Sequence, residues 1–184
     1  MREDNLLAVR QDWLQPAEPC LRAARIHLNL ANRMTLLGPN QLWVADITYV
    51  RLAREFVYLA VVLDAFSRKA IGWAADRSLK VQLPVCALER AIANRKPPPG
   101  VVHHSDQGVQ YANWQYLEKL KEHGMLPSMS RPGNPYDNAT CESFLKTLKR
   151  EEIYASIYRD FEDSEKRVAE FIEQFTTSIA YTRR

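Results

Sequence analysis

The chain has 184 residues, 46% of them apolar, and a formal net charge of +3. This length allows one α/β domain with a substantial core and is too short for two. The weakly basic balance, with a pI near 8.8, permits a polyanionic partner without requiring one. The three cysteines have neither a disulfide nor a zinc-binding spacing, and no apolar run or leader indicates a membrane protein. We therefore expect a soluble, cytoplasmic protein with no membrane association.

The predicted elements begin after residues 1–41, an arm or linker that is punctuated by prolines and lacks hydrophobic periodicity. Three segments rich in β-branched and aromatic residues then predict strands at 42–52, 56–66 and 69–78. Helices at 81–95 and 114–124, short strands at 100–106 and 125–130, and a last amphipathic helix near 168–175 follow. A meander followed by alternating helices and strands predicts an α/β fold, a five-stranded mixed sheet flanked by helices.

The stretch from 133 to 151 predicts a helix with two distinct faces. Asp137 or Asn138 suits its N-cap, and an apolar stripe should face the core. The stripe consists of Cys141, Phe144, Leu145 and Leu148. Beside it, Glu142, Lys146 and Lys149 recur at helical spacing and share one side. An exposed salt bridge is the structural interpretation of that side, and a functional site is the alternative.

Carboxylates on two predicted strands favour the functional alternative. Asp46 is flanked by apolar residues in mid-strand, where an ionised carboxylate without a partner costs several kcal/mol. Asp106 closes a separate apolar strand, and ligands gather at such strand ends in α/β sheets. Each Asp alone has a structural explanation, a buried ion pair or a turn. The rival Asp64 is interpreted as a turn residue or a partner of Arg68, and Asp137 as a cap.

Three carboxylates that converged would repel one another unless cations joined them. Mg²⁺ accepts a few hard oxygen ligands and keeps water and phosphate. Two such ions would activate a water or 3′-hydroxyl and stabilise the leaving oxygen of a phosphodiester. Lys149 would then hold a backbone phosphate. His103 and His104 precede Asp106 but point to opposite faces of their strand, so one is expected near the site and the other in the core.

Four stretches of the chain closely resemble the catalytic half of bacterial transposases of the insertion sequence three family. They are WVADITYV, VYLAVVLDAFSRKAIGW, HHSDQGVQY and SMSRPGNPYDNATCESFLKTLKRE, and the resemblance covers roughly residues 31–175. That family belongs to the acidic-triad superfamily, D,D-35-E, which includes retroviral integrases and has a ribonuclease H-like fold. The 35 residues numbered 107–141 separate Asp106 from Glu142, which is the family's own spacing.

The resemblance implies that Asp46, Asp106 and Glu142 are the catalytic, metal-binding triad, with two Mg²⁺ ions that Mn²⁺ can replace. It also implies cleavage at the ends of a mobile element and transfer of the 3′-hydroxyl to target DNA. Such enzymes act as homo-oligomers on DNA, so we expect association with the nucleoid. Predicted DNA contacts are Lys149, Lys146, Arg131, Tyr136 and Tyr111.

Both ends of the chain depart from the family pattern. Residues 1–41 resemble only a remnant of the helix-turn-helix region that recognises the element's ends, and 42–175 would be the catalytic core. Residues 176–184 are interpreted as an aberrant tail after a frameshift near Phe175, which the nucleotide sequence would test. The alternatives to an active transposase core are a non-catalytic DNA-binding or inhibitory remnant of a decayed element, and a nuclease of RNA–DNA hybrids.

Overall fold

The computed structural model describes residues 28–130 and 139–182. Its strands are β1 Leu42–Arg51, β2 Phe56–Asp64, β3 Ala70–Asp76, β4 Val102–Ser105 and β5 Leu126–Met129. Its α-helices are α1 Gln82–Arg95, α2 Trp114–Glu122, α3 Ala139–Leu148 and α4 Phe161–Thr182. A short 3₁₀ turn covers Ala31–Arg33, and a π-helical turn, Lys149–Ile153, follows α3. No helix in the described part of the chain is both long enough and apolar enough to span a bilayer.

The five strands form one mixed sheet in the order β3-β2-β1-β4-β5. β1 pairs antiparallel with β2, which pairs antiparallel with β3, whereas β1–β4 and β4–β5 are parallel. The predicted α/β class, the five strands and the flanking helices are confirmed. β5 is an edge strand and contains Pro127, a residue that sheets tolerate at their edges.

Helices cover both faces of the sheet because β1 and β2 alternate apolar side chains between two cores. Val44, Val50 and Leu59 pack with α3 and α4 on one face. The core of the other face is formed by Trp43 and Ala45 together with side chains of α1 and α2. Strands that are buried on both sides explain the nearly continuous apolar sequence of β1 and β2.

Gly72 sets the closeness of α1 to the sheet. A Cβ atom at this position would overlap the Ala87 carbonyl oxygen and the Ala91 amide nitrogen. Only a residue without a side chain lets the helix backbone approach β3 this closely.

Residues 28–41 pack on the domain. Met34 and Leu36 contact the core beneath α3 and α4, and the Leu30 amide donates to Ser128 Oγ at 2.9 Å. At the other end, α4 continues through the predicted boundary at Phe175 to Thr182. The predicted caps Asp137 and Asn138 lie outside the described residues.

Candidate active site

Asp46 and Asp106 lie where β1 and β4 stop pairing. The parallel register joins Leu42 to Val102 and Val44 to His104, and β4 ends at Ser105. If this register is continued by two residues past the pair Val44–His104, Asp46 stands beside Asp106 on the neighbouring strand. This is the crevice at the carboxyl ends of parallel strands where α/β proteins bind ligands.

The pKa of Asp46 indicates that the carboxylates of Asp106 and Glu142 lie near it. Burial raises the pKa of Asp46 to about 6, while the hydrogen bond from the Ile47 amide opposes the shift. The charges of Asp106 and Glu142 raise the pKa further, and Lys149 lowers it. Asp106, Glu142 and Lys149 therefore all lie close enough to act on Asp46, although they come from a second strand and the α3 region.

Glu142 stands in the first turn of α3, whose buried stripe is the one that the sequence predicts. The side chain of Glu142 is exposed, and no ion pair within the described residues joins it to Lys146. The structure thus lacks the salt bridge that was the structural alternative for this face. Lys146 is exposed on the same helix, as a surface contact requires.

Lys149 occupies the first position of the π-helical turn rather than a further turn of α-helix. Its ammonium nitrogen lies 5.2 Å from the centre of the Tyr49 ring, within cation–π range. Lys149 also lowers the pKa of Asp46, so the cation that contacts the Tyr49 ring lies close enough to act on that carboxylate. Tyr49 was not predicted as a site residue, and the available signal was its position on the strand that carries the anomalous Asp46.

Asp106 is exposed, and its orientation depends on Gly108. The Gly108 amide donates to Asp106 Oδ1 at 3.0 Å. A Cβ on Gly108 would lie 2.9 Å from the same oxygen, too close for an ordinary contact. The DQG sequence therefore makes a turn in which the glycine backbone holds the carboxylate, a positioning role that the sequence reading missed.

A cavity of about 260 Å³ opens beside the two aspartates. Its lining includes Asp46, Asp106, Thr48 and Tyr111. The hydroxyls of Thr48 and Tyr111 are buried and have no hydrogen-bond partner among residues 28–130 and 139–182. Buried polar groups without partners are rare, and at a reactive site they indicate a place where water or substrate is accommodated.

Tyr111, a predicted DNA contact, is largely buried. It is only 2% exposed and packs edge-to-face against Tyr116 with ring centres 5.2 Å apart. Any contact with DNA would have to pass through the aspartate cavity that it lines, so this contact stays a prediction. The residue belongs to the wall beneath the aspartates, because the turn after Gly108 folds the chain back onto α2.

The two histidines point to opposite faces as predicted, but both are buried in polar contacts. His103 Nε2 pairs with the Tyr116 hydroxyl at 3.0 Å, and burial lowers the pKa of His103 to about 3. His104 lies between Ser128 Oγ at 2.8 Å and Ser130 Oγ at 3.0 Å. Neither imidazole lines the cavity that holds Asp46 and Asp106.

The structure does not place the remaining candidate residues at this site. Asp64 is fully buried at the opposite end of the β1–β2 pair, where it accepts hydrogen bonds from the Asn40 amide and from Ser67. Its interpretation as a turn residue is confirmed. Arg131 and Tyr136 lie outside the described residues.

The carboxylates approach one another without forming a closed cage. Among residues 28–130 and 139–182, no three His, Cys, Asp or Glu side chains are close enough to enclose an ion as placed. The donor set is nevertheless composed of hard oxygens whose repulsion a divalent cation relieves, which fits Mg²⁺ chemistry.

Comparison with known proteins identifies the family. The profile of the family described as integrase core domain matches residues 37–135, and a second profile of the same description matches residues 123–178. The transposase for insertion sequence element IS904 of Lactococcus lactis is 38% identical over 148 residues, 80% of this chain and 58% of that protein. Transposase InsF for insertion sequence IS3A of Escherichia coli is 43% identical over 136 residues, 74% of this chain and 47% of that protein. The chain thus spans about half the length of these relatives.

Retroviral integrases are among the solved structures with the same fold. The catalytic core domain of HTLV-2 integrase, in complex with magnesium, has a TM-score of 0.54 at 16% identity, covering 72% of this chain and 86% of that one. A chain of the simian T-cell lymphotropic virus intasome with PP2A regulatory subunit B56 gamma has a TM-score of 0.61 at 19% identity. That match covers 78% of this chain and 52% of the other. The fold is ribonuclease H-like, and with the sequence matches it shows that the chain belongs to the integrase core domain family, confirming the resemblance to the transposases of the insertion sequence three family.

Proposed function

We propose that this chain is the catalytic core of a DNA transposase, which cleaves the ends of a mobile element and transfers them to target DNA. The observation that carries the proposal is the electrostatic convergence on Asp46 of Asp106, Glu142 and Lys149. A group of carboxylates at a strand-end crevice, with one cation beside it, suits a phosphodiester better than a neutral substrate.

Asp46, Asp106 and Glu142 would hold the metal, two Mg²⁺ ions that Mn²⁺ can replace. When bound, Mg²⁺ supplies charge that stabilises the phosphodiester oxygens and promotes ionisation of the attacking water or 3′-hydroxyl. An ion shared by all three carboxylates requires their side chains to turn toward it. The Gly108 amide orients Asp106, and the Ile47 amide orients Asp46.

Lys149 would place the backbone phosphate against the carboxylates, with Lys146 as a further phosphate contact. The Tyr49 ring restricts the long Lys149 side chain, so less conformational freedom is lost on binding. Arg131 and Tyr136 remain proposed contacts. Action on DNA within an oligomer, at the nucleoid, follows from the proposed reaction.

Plasmid nicking by the 184-residue chain tests the proposal. We expect cleavage that requires Mg²⁺ or Mn²⁺ and is abolished in Asp46→Asn, Asp106→Asn and Glu142→Gln. Glu118→Gln changes an exposed carboxylate on α2 and serves as the matched control. Activity that survives all three substitutions would contradict the assignment of the site.

The same assay distinguishes the other functions. A folded parent chain that binds DNA but never nicks it would favour a non-catalytic or inhibitory role. Preferential cleavage of an RNA–DNA hybrid over duplex DNA would favour a hybrid nuclease.

A further inference from the structure

A second concave surface adjoins the aspartate cavity and has no role in the proposed function. It is a groove of about 770 Å³ between the β1–β2 hairpin and the connection from α3 to α4. This volume lies within the range of about 300–1,000 Å³ that is typical of small-molecule sites. Five aromatic side chains contribute to its lining: Tyr49, Phe56, Tyr58, Tyr154 and Tyr158.

The groove is continuous with the candidate active site. Tyr49 and Tyr58, a cross-strand pair, line both the groove and the cavity that contains Asp46 and Asp106. Tyr49 lies three residues beyond Asp46, a displacement of about 10 Å at the rise of a β-strand. A strand whose phosphate reached the aspartates would therefore come to the groove within roughly three stacked nucleotides, at about 3.4 Å each.

The charges along the groove favour a polyanion that presents flat rings. Arg51 is the charged residue of the lining, and no carboxylate contributes to it among the described residues. The Lys149 ammonium lies over the Tyr49 ring at the boundary with the active site. A cation at each side of the aromatic surface suits the phosphates that flank a nucleobase.

Several of these aromatic rings are accessible to a stacking partner, although Tyr158 is buried. Phe56 is 53% exposed and Tyr154 is 71% exposed. Phe56 meets Tyr49 edge-on, with ring centres 5.8 Å apart and planes at 80°, so the two rings do not stack on each other. The Tyr154 amide donates to the Lys149 carbonyl at 2.8 Å, which attaches Tyr154 to the π-helical turn that carries the phosphate-binding cation.

We propose that this aromatic groove binds unpaired nucleobases of the DNA strand that adjoins the reacting phosphate. The proposal rests on the proposed function, because the groove acquires this role only if DNA occupies the neighbouring site. An unpaired base stacks on an aromatic ring with about 1–3 kcal/mol of affinity, independently of sequence. Base-paired nucleotides present no free faces, so the groove selects frayed or single-stranded DNA next to the cleavage point.

The test is binding of the full 184-residue chain to a duplex with a short single-stranded tail that contains 2-aminopurine. The comparison ligand carries an abasic tail of equal length and charge. We expect tighter binding of the base-containing tail and quenching of its fluorescence. Phe56→Ala or Tyr154→Ala should weaken tail binding about 5- to 150-fold and leave binding of the abasic tail unchanged.

Matched variants keep the test interpretable. Tyr154→Phe retains a ring and should retain the preference for the base-containing tail. Trp114→Ala removes a similarly exposed aromatic ring, 55% exposed on α2 and remote from the groove, and should change nothing. Circular dichroism of each variant verifies folding.

Plasmid nicking, measured in parallel, separates the two proposals. Equal affinity for base-containing and abasic tails by a chain that nicks DNA overturns the groove alone. Loss of self-association in Phe56→Ala, without any preference for the base-containing tail, assigns the groove to a second copy and likewise overturns it. A chain that neither nicks nor binds DNA overturns the proposed function.

Discussion

The Lys149 ammonium nitrogen lies 5.2 Å from the centre of the Tyr49 ring, so an aromatic side chain on β1 positions the cation contributed by the helix end. A partly exposed cation–π contact is worth about 0.5–1 kcal/mol. Tyr49→Leu should therefore reduce Mg²⁺-dependent nicking by about two- to fivefold, because Lys149 loses its orientation. Tyr49→Phe keeps the ring and should keep the activity. Equal losses in both variants would instead implicate the tyrosine hydroxyl.

The unfolding free energy of Asp46→Asn should depend on pH differently from that of the parent. The folded pKa of Asp46 is about 6, above the ordinary value of 3.8. Both states are protonated below pH 3.8, and at higher pH the unfolded chain ionises first. The parent therefore loses stability between about pH 4 and 6, and an upper value for that loss is about 3 kcal/mol.

Urea unfolding measures this difference. Asp46→Asn should be more stable than the parent at pH 7 without metal, and the two should converge at pH 3.5. Mg²⁺ should raise the midpoint of the parent and not that of the variant. An identical pH profile for both proteins would contradict the buried environment of Asp46.

His103 should change the pH dependence of the unfolding free energy in the direction opposite to Asp46. The pKa of His103 in the folded chain is about 3, below the ordinary value of 6.5. Its contribution to the free energy of unfolding is therefore complete above pH 6.5 and is lost as the pH falls toward 3. His103→Gln cannot titrate but can still accept from the Tyr116 hydroxyl. The slope of unfolding free energy against pH should decrease by about 1.4 kcal/mol per unit between pH 4 and 6. An unchanged slope would show that His103 is protonated in the folded chain.

Gly108→Ala should impair activity more than stability. The new Cβ would lie 2.9 Å from Asp106 Oδ1 and push the carboxylate from its place. Displacement of a reacting group by about 1 Å can cost on the order of 100-fold in rate, so we expect nicking to fall by at least tenfold. Gly38→Ala is the matched control, because its Cβ would meet no atom within 4 Å. Full activity in Gly108→Ala would exclude the positioning role.

Removing the hydroxyl should have different effects on stability at Tyr111 and at Tyr116, two tyrosines that contact each other beneath the site. Tyr116→Phe removes a hydroxyl that is bonded to His103 and should destabilise the fold by about 1–3 kcal/mol. Tyr111→Phe removes a buried hydroxyl that has no partner in the described part of the chain, and it should leave stability equal or slightly higher. Thermal unfolding checks both variants. Weaker DNA binding by Tyr111→Phe, with unchanged stability, would support the prediction that Tyr111 contacts DNA.

The sequence indicated Asp46 because an ionisable group in the middle of an apolar strand requires a physical explanation. It could not indicate that Asp46 and Asp106 would lie side by side, because their alignment depends on the β1–β4 register, a tertiary property. The π-helical turn was also missed, because KREEI has an ordinary helical composition. The burial of Tyr111 could not be foreseen for a similar reason: a polar loop sequence does not reveal that the loop turns inward.

Pro127 on the outer strand limits how copies of this domain can associate. Proline has no amide hydrogen, so a foreign strand laid along β5 would lack one donor of the new ladder. Continuous sheet extension from one copy to the next is thereby disfavoured at this side. Higher-order complexes would then have to use the other sheet edge at β3, the helix surfaces or the nucleic acid as a bridging scaffold.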